Sequence, residues 1–143
     1  MDKNFVELNT TKKIDAAFKE IEDAFGERYA NQIRKLYEST NRTFFKSNED
    51  LGVTRLNNKS EPIIELNKNL GNAKIMANAI LHEVRHLRQH LKVGDEKMHL
   101  NNIQLDEAER FATATNIWQG EKLGLTDEDL KIFQDYYDFY RRK

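Results

Sequence analysis

One five-residue run stands out for its chemistry, His82-Glu83-Val84-Arg85-His86. On a helix, positions 82 and 86 lie about 40° apart around the axis and one turn from each other. Both imidazoles can therefore reach one zinc ion, while Glu83 lies beside them. The ion would lower the pKa of a bound water toward ~7, and Glu83 would take the proton of that water as it attacks a carbonyl. We expect His82 and His86 to be zinc ligands and Glu83 to be the general base of amide hydrolysis.

The helix predicted around this motif also has an apolar side. Six apolar residues recur opposite the two histidines over about residues 73–91: Ala73, Ala77, Ile80, Val84, Leu87 and Leu91. This pattern predicts a helix that buries one face and presents His82 and His86 on another. The alternative is a solvated helix face with two exposed histidines, because the stretch from Arg85 to His90 is mostly polar.

A catalytic zinc ion needs a third protein ligand besides the two histidines and a water. The chain has no cysteine, so this ligand must be a carboxylate or another histidine. Glu107 and Glu109 flank the apolar stripe of a helix predicted over about 104–119, so either can border the core. Two further residues remain open as ligands, Asp106 on the same segment and His99 in the connection before it.

The motif and the acidic, Ala-rich helix that follows it, with Phe111-Ala112, resemble the gluzincin branch of the zincin metallopeptidases. The ImmA/IrrE-like metallopeptidases are the most similar family within it. The resemblance covers about residues 73–118. It implies a minimal zincin-like fold, Zn²⁺ as the cofactor, and an extended peptide as the substrate.

The resemblance also bears on the third ligand. In these families a Glu stands three residues before a small Ala, which here selects Glu109 with Ala112. A second alignment, which begins the family's Ala-rich run at Glu107, places Leu105 at the ligand position, and Leu cannot bind zinc. We therefore expect Glu109 as the third ligand, with Glu107, Asp106 and His99 as alternatives.

The remaining segments predict the elements that must position the motif. Amphipathic spacing over about 11–39 predicts one long helix or two short ones, with Gly26 as the break. Three short β-prone runs predict a small sheet or meander: Thr43–Phe45, Gly52–Leu56 and Pro62–Leu66. A last helix is expected over about 126–140, where Thr126 offers an N-cap before an acidic first turn. Together these elements predict an α+β fold.

Composition limits the organisation and the partners of the chain. With 143 residues and a single Pro, one domain over residues 1–143 is expected. The net charge of −1 indicates no nucleic-acid partner, and no run approaches the ~20 apolar residues of a membrane span. The first residues do not resemble a secretory signal. We therefore expect a cytoplasmic protein, or one secreted as part of a longer effector.

These observations predict zinc-dependent hydrolysis of peptide bonds in a specific protein substrate. If Pro62–Leu66 is the sheet edge beside the motif, an extended peptide could pair with it. Within this class the chain would be either a regulator that cleaves one protein, as ImmA-like enzymes do, or a toxin or effector domain with an inhibitor or immunity protein as partner. The alternative outside the class is a non-catalytic binding module whose HExxH motif is structural or metal-free.

Overall fold

The computed structural model describes residues 3–46, 51–59, 61–93 and 115–141. Its helices are α1 (Lys3–Val6), α2 (Thr10–Phe25), α3 (Glu27–Glu38), α4 (Ala73–Val93), α5 (115–123) and α6 (Asp127–Arg141). Its strands are β1 (Asn41–Phe45), β2 (Gly52–Leu56) and β3 (Pro62–Asn67). Helices and one small sheet form an α+β fold, as the sequence predicted.

The N-terminal region forms two main helices, which decides between the two alternatives drawn from the sequence. Helix α2 begins after Asn9, whose side-chain Oδ1 accepts a hydrogen bond from the Lys12 N–H at 2.9 Å. It ends at Gly26, whose φ of 95° favours glycine, and α3 starts at the next residue. The short α1 was not predicted; its one buried residue is Phe5.

The three predicted strands form one sheet, but it is not a meander. The strand order is β1-β3-β2, with β1 parallel and β2 antiparallel to β3. Strand β3 carries the fully buried Ile64 and Leu66, whereas the first three residues of β1 are polar and exposed. The most apolar strand therefore takes the centre, where both of its edges are paired. The expectation that Pro62–Leu66 could be an edge strand was consequently wrong.

Helix α4 lies at the centre of the fold. Helices α2 and α3 pack against it, and so do strands β2 and β3. Every residue from 75 to 84 is buried, so the predicted single buried face was too narrow. The difference arises because other elements pack on more than one side of α4, and its helical periodicity alone does not show these contacts.

Side-chain caps mark the starts of helices α4 and α6. Asn72 Oδ1 accepts from the Ile75 N–H at 2.8 Å, and Asn72 Nδ2 donates to Asp129 Oδ2 at 3.1 Å, so the start of α4 is bonded to the start of α6. The predicted N-cap is confirmed, since Thr126 Oγ1 accepts from the Asp129 N–H at 3.1 Å. Helix α5 continues to residue 123, four residues beyond the predicted end.

Residues 104–114 of the predicted ligand helix lie outside the described residues. None of the helices described here is both long and apolar enough to cross a membrane.

Candidate metal centre

Helix α4 brings the two histidines of the motif together. The Nε2 atoms of His82 and His86 lie 3.1 Å apart, and the two rings meet edge to face with centroids 4.7 Å apart. The exposed fractions of the two residues are 8% and 9%. The alternative of a solvated face with two exposed histidines is therefore wrong.

The separation of the two nitrogens agrees with the geometry of a shared zinc ion. Two His nitrogens bound to one tetrahedral zinc, each ~2.0 to 2.1 Å from the ion, lie about 3.3 Å from each other. The observed 3.1 Å is close to that value. The same separation also fits a hydrogen bond between the two rings, in which the tautomers decide which nitrogen donates. The pair is thus arranged so that either a proton or a metal ion can lie between its nitrogens.

Glu83 is buried beside the histidine pair, and strand β2 holds its carboxylate. Its exposed fraction is 3%. The Thr54 hydroxyl lies 2.9 Å from Glu83 Oε1 and 3.0 Å from the main-chain oxygen of Glu83. Sequence reasoning identified Glu83 but not Thr54, because the contact depends on how β2 packs against α4.

Gly52 on β2 lies where a side chain would collide with Glu83. A Cβ at this position would lie 2.9 Å from the main-chain oxygen of Glu65, 3.1 Å from Glu83 Oε2 and 3.2 Å from Glu83 Cγ. A side chain at position 52 would therefore displace the carboxylate or the neighbouring strand. A glycine in a β-prone run can mark such a close approach, and the sequence carried this signal at the start of β2. Gly52 and Thr54 are two residues apart and share the face of β2 that meets α4.

The pairing of β2 with β3 shows which way its backbone groups point. Two backbone hydrogen bonds flank the strand, from Asn57 N to Glu61 O at 2.9 Å and from Asn67 N to Leu51 O at 3.0 Å. In the antiparallel register of β2 and β3, these two bonds show that the odd-numbered residues of β2 direct their N–H and C=O groups toward β3. The N–H and C=O groups of Gly52 and Thr54 therefore point away from β3. Within the described part of the sheet, no strand pairs with β2 on that side.

A buried amide pair joins α4 to α5 one turn before His82. Asn78 and Asn116 are both fully buried, and Asn116 Nδ2 donates to the main-chain oxygen of Asn78 at 2.7 Å and to its Oδ1 at 2.5 Å. A Cβ on Gly120 would lie 2.8 Å from Asn78 Nδ2, so the two helices approach closely. Neither Asn was singled out from the sequence, although a polar residue on an otherwise apolar helix face was a usable signal.

The expected third zinc ligand lies outside the residues that the structure describes. Among residues 3–46, 51–59, 61–93 and 115–141, no group of three or more His, Asp or Glu side chains could hold a metal ion. The expected ligand Glu109 and its alternatives lie outside those ranges: Glu107, Asp106 and His99. The structure thus brings His82 and His86 together and buries Glu83 on the same helix, and the third ligand of the expected site stays a prediction.

Comparison of the chain with protein families, with curated proteins and with solved structures finds no match. The resemblance to zincin metallopeptidases consequently remains an expectation based on the motif.

Proposed function

We propose that this protein is a zinc-dependent hydrolase of peptide bonds in a protein substrate. The observation that carries the proposal is the 3.1 Å approach of the buried His82 and His86 nitrogens on the helix that also buries Glu83. Buried titratable side chains cluster at functional sites more often than in ordinary packing, and this helix buries two histidines and a glutamate within five residues.

The roles of the residues follow from their chemistry. His82 and His86 would hold the zinc ion through neutral imidazole nitrogens, with Glu109 proposed as the third ligand on the basis of the family resemblance. Bound zinc would supply a Lewis acid and would lower the pKa of a water molecule at the site toward ~7. Glu83 accepts the proton of the attacking water and delivers it to the leaving nitrogen of the peptide.

Strand β2, rather than β3, is the edge that we propose for the substrate. An extended peptide can add to an open sheet edge through main-chain hydrogen bonds. The outward N–H and C=O groups of β2 include those of Gly52 and Thr54, which lie on the part of the strand that faces Glu83. A peptide paired with them would pass directly beside the general base.

The proposal is tested by separating metal binding from turnover. Protein purified after zinc-supplemented expression is assayed for zinc content and for cleavage of a library of fluorescence-quenched peptides. Glu83→Gln should retain the zinc of the wild type and lose cleavage by about 100-fold or more, the contribution of a general base. The matched control is Glu121→Gln, an exposed Glu on α5, which should behave as the wild type.

Two outcomes would contradict the proposal. Cleavage that is as fast in Glu83→Gln as in the wild type would show that another group acts as the base or that a contaminant acts on the library. A wild type that holds zinc without cleaving any peptide would favour the non-catalytic binding module. A toxin or effector role would be indicated if the active enzyme arrests the growth of its host while Glu83→Gln does not.

A further inference from the structure

We infer that Thr54 is a positioning residue that orients the carboxylate of Glu83 for proton transfer. The inference rests on the proposed function of Glu83 and adds a residue on β2 that the HExxH motif does not contain. Its hydroxyl is 2.9 Å from Glu83 Oε1, a distance typical of a hydrogen bond to a carboxylate.

The position of the Thr54 hydroxyl is set by the sheet and not by the helix that carries Glu83. Thr54 stands opposite Ile64 in the register of β2 and β3, and Ile64 is fully buried at the centre of the sheet. Glu83 has three side-chain torsions, and packing of α4 alone does not fix the outermost one, which is a broad rotation. A donor anchored on another element can fix that rotation.

Gly52 confines the same carboxylate from a second direction. The space that a Cβ would occupy at Gly52 lies 3.1 Å from Glu83 Oε2, whereas Thr54 holds Oε1. Thr54 thus bonds one oxygen of the carboxylate, and the absence of a side chain at Gly52 leaves room for the other. This arrangement fixes the plane of the carboxylate, which decides where the proton of an attacking water can be received.

A neutral hydroxyl suits this position better than a cation would. A hydroxyl has one proton to donate and two lone pairs to accept with. The Thr54 hydroxyl has a second acceptor within reach, the main-chain oxygen of Glu83 at 3.0 Å. When Glu83 receives a proton from water, Thr54 can donate to that main-chain oxygen and accept from the new carboxyl O–H. The hydroxyl can therefore keep its contact with the carboxylate through proton transfer.

The test compares Thr54→Val, which keeps the shape and loses the hydroxyl, with Thr54→Ser, which keeps the hydroxyl. For Thr54→Val we expect kcat to fall roughly ten- to a hundredfold, the loss typical of a hydrogen bond to a charged group. KM and zinc affinity should stay within about twofold, because neither substrate pairing nor the histidines are changed. Thr54→Ser should restore most of kcat. Thr43→Val, at an exposed position on β1, is the matched control and should behave as the wild type.

A second readout does not depend on activity. In crystal structures of the metal-free variants, Glu83 should keep its carboxylate orientation in Thr54→Ser and lose it in Thr54→Val. Equal kcat in Thr54→Val and the wild type would overturn the inference, and so would equal impairment of the Ser and Val variants, which would indicate packing. If Thr54→Val does not fold, Thr54→Ala takes its place in both comparisons. A wild type without cleavage would count against the proposed function, while the crystal structures would still decide the role of Thr54.

Discussion

Replacing Gly52 with alanine probes the closest approach between β2 and the motif. The added Cβ would lie 2.9 Å from the main-chain oxygen of Glu65 and 3.1 Å from Glu83 Oε2. The first of these atoms belongs to the central strand of the sheet, so it cannot rotate away as a flexible side chain could. Gly52→Ala must therefore shift β2, β3 or the carboxylate of Glu83.

The expected magnitude follows from two opposing effects. Forcing an extra carbon into a packed interior costs about 1 to 3 kcal/mol. Alanine also restricts the unfolded chain more than glycine does, which returns about 0.4 to 1 kcal/mol. The net expectation is a loss of roughly 1.5 kcal/mol of unfolding free energy, which lowers Tm by about 3 to 6 °C in a domain of this size. Because a shift of β2 or of the carboxylate itself changes how Glu83 is held by Thr54, kcat should also fall, by about tenfold or more.

The assay pairs thermal unfolding with peptide cleavage at a temperature where every variant is folded. Gly120→Ala is the matched control, because its Cβ would also be crowded, at 2.8 Å from Asn78 Nδ2, but at a distance from β2. It should lose stability and keep its turnover. Wild-type Tm and kcat in Gly52→Ala would refute the close approach. An equal loss of kcat in Gly120→Ala would show that reduced stability alone explains the effect.

Two further predictions concern buried polar groups outside the motif. Burial raises the pKa of Tyr37 to about 12, so the protonated phenol stabilises the fold below pH 10 and this contribution is lost as pH rises through 12. The unfolding free energy, measured with urea, should therefore fall between pH 9 and pH 11 by about 1 kcal/mol less in Tyr37→Phe than in the wild type. An equal fall in both proteins would contradict the raised pKa of Tyr37. Asn116→Ala should reduce the unfolding free energy by about 1 to 3 kcal/mol, because it removes the donor to the buried Oδ1 of Asn78. An Asn116→Ala variant as stable as the wild type in urea would mean that the amide pair contributes little.

The sequence predicted those parts of the fold that depend on local patterns. The break at Gly26 and the N-cap at Thr126 are encoded within one or two turns of chain, and both are confirmed. The convergence of His82 and His86 was also predictable, because it follows from helical geometry alone.

The parts that were missed depend on contacts between distant segments. A meander would pair each strand with the next one in the sequence. Instead β3 lies at the centre of the sheet, because it pairs with β1 as well as with β2. The burial of the histidines requires elements that pack around α4. The contacts of Gly52 and Thr54 with Glu83 require the register of β2 as well as its placement against the helix, and neither was available from periodicity.

Zinc content is the most direct test of the proposed metal centre. Elemental analysis of the wild type and of His82→Ala, both purified without metal-affinity steps after zinc-supplemented expression, compares the two proteins under identical conditions. The two converging nitrogens predict about one zinc per chain in the wild type and a loss of most of it in His82→Ala. A zinc-free wild type, or a His82→Ala variant that retains the full complement of zinc, would contradict the site.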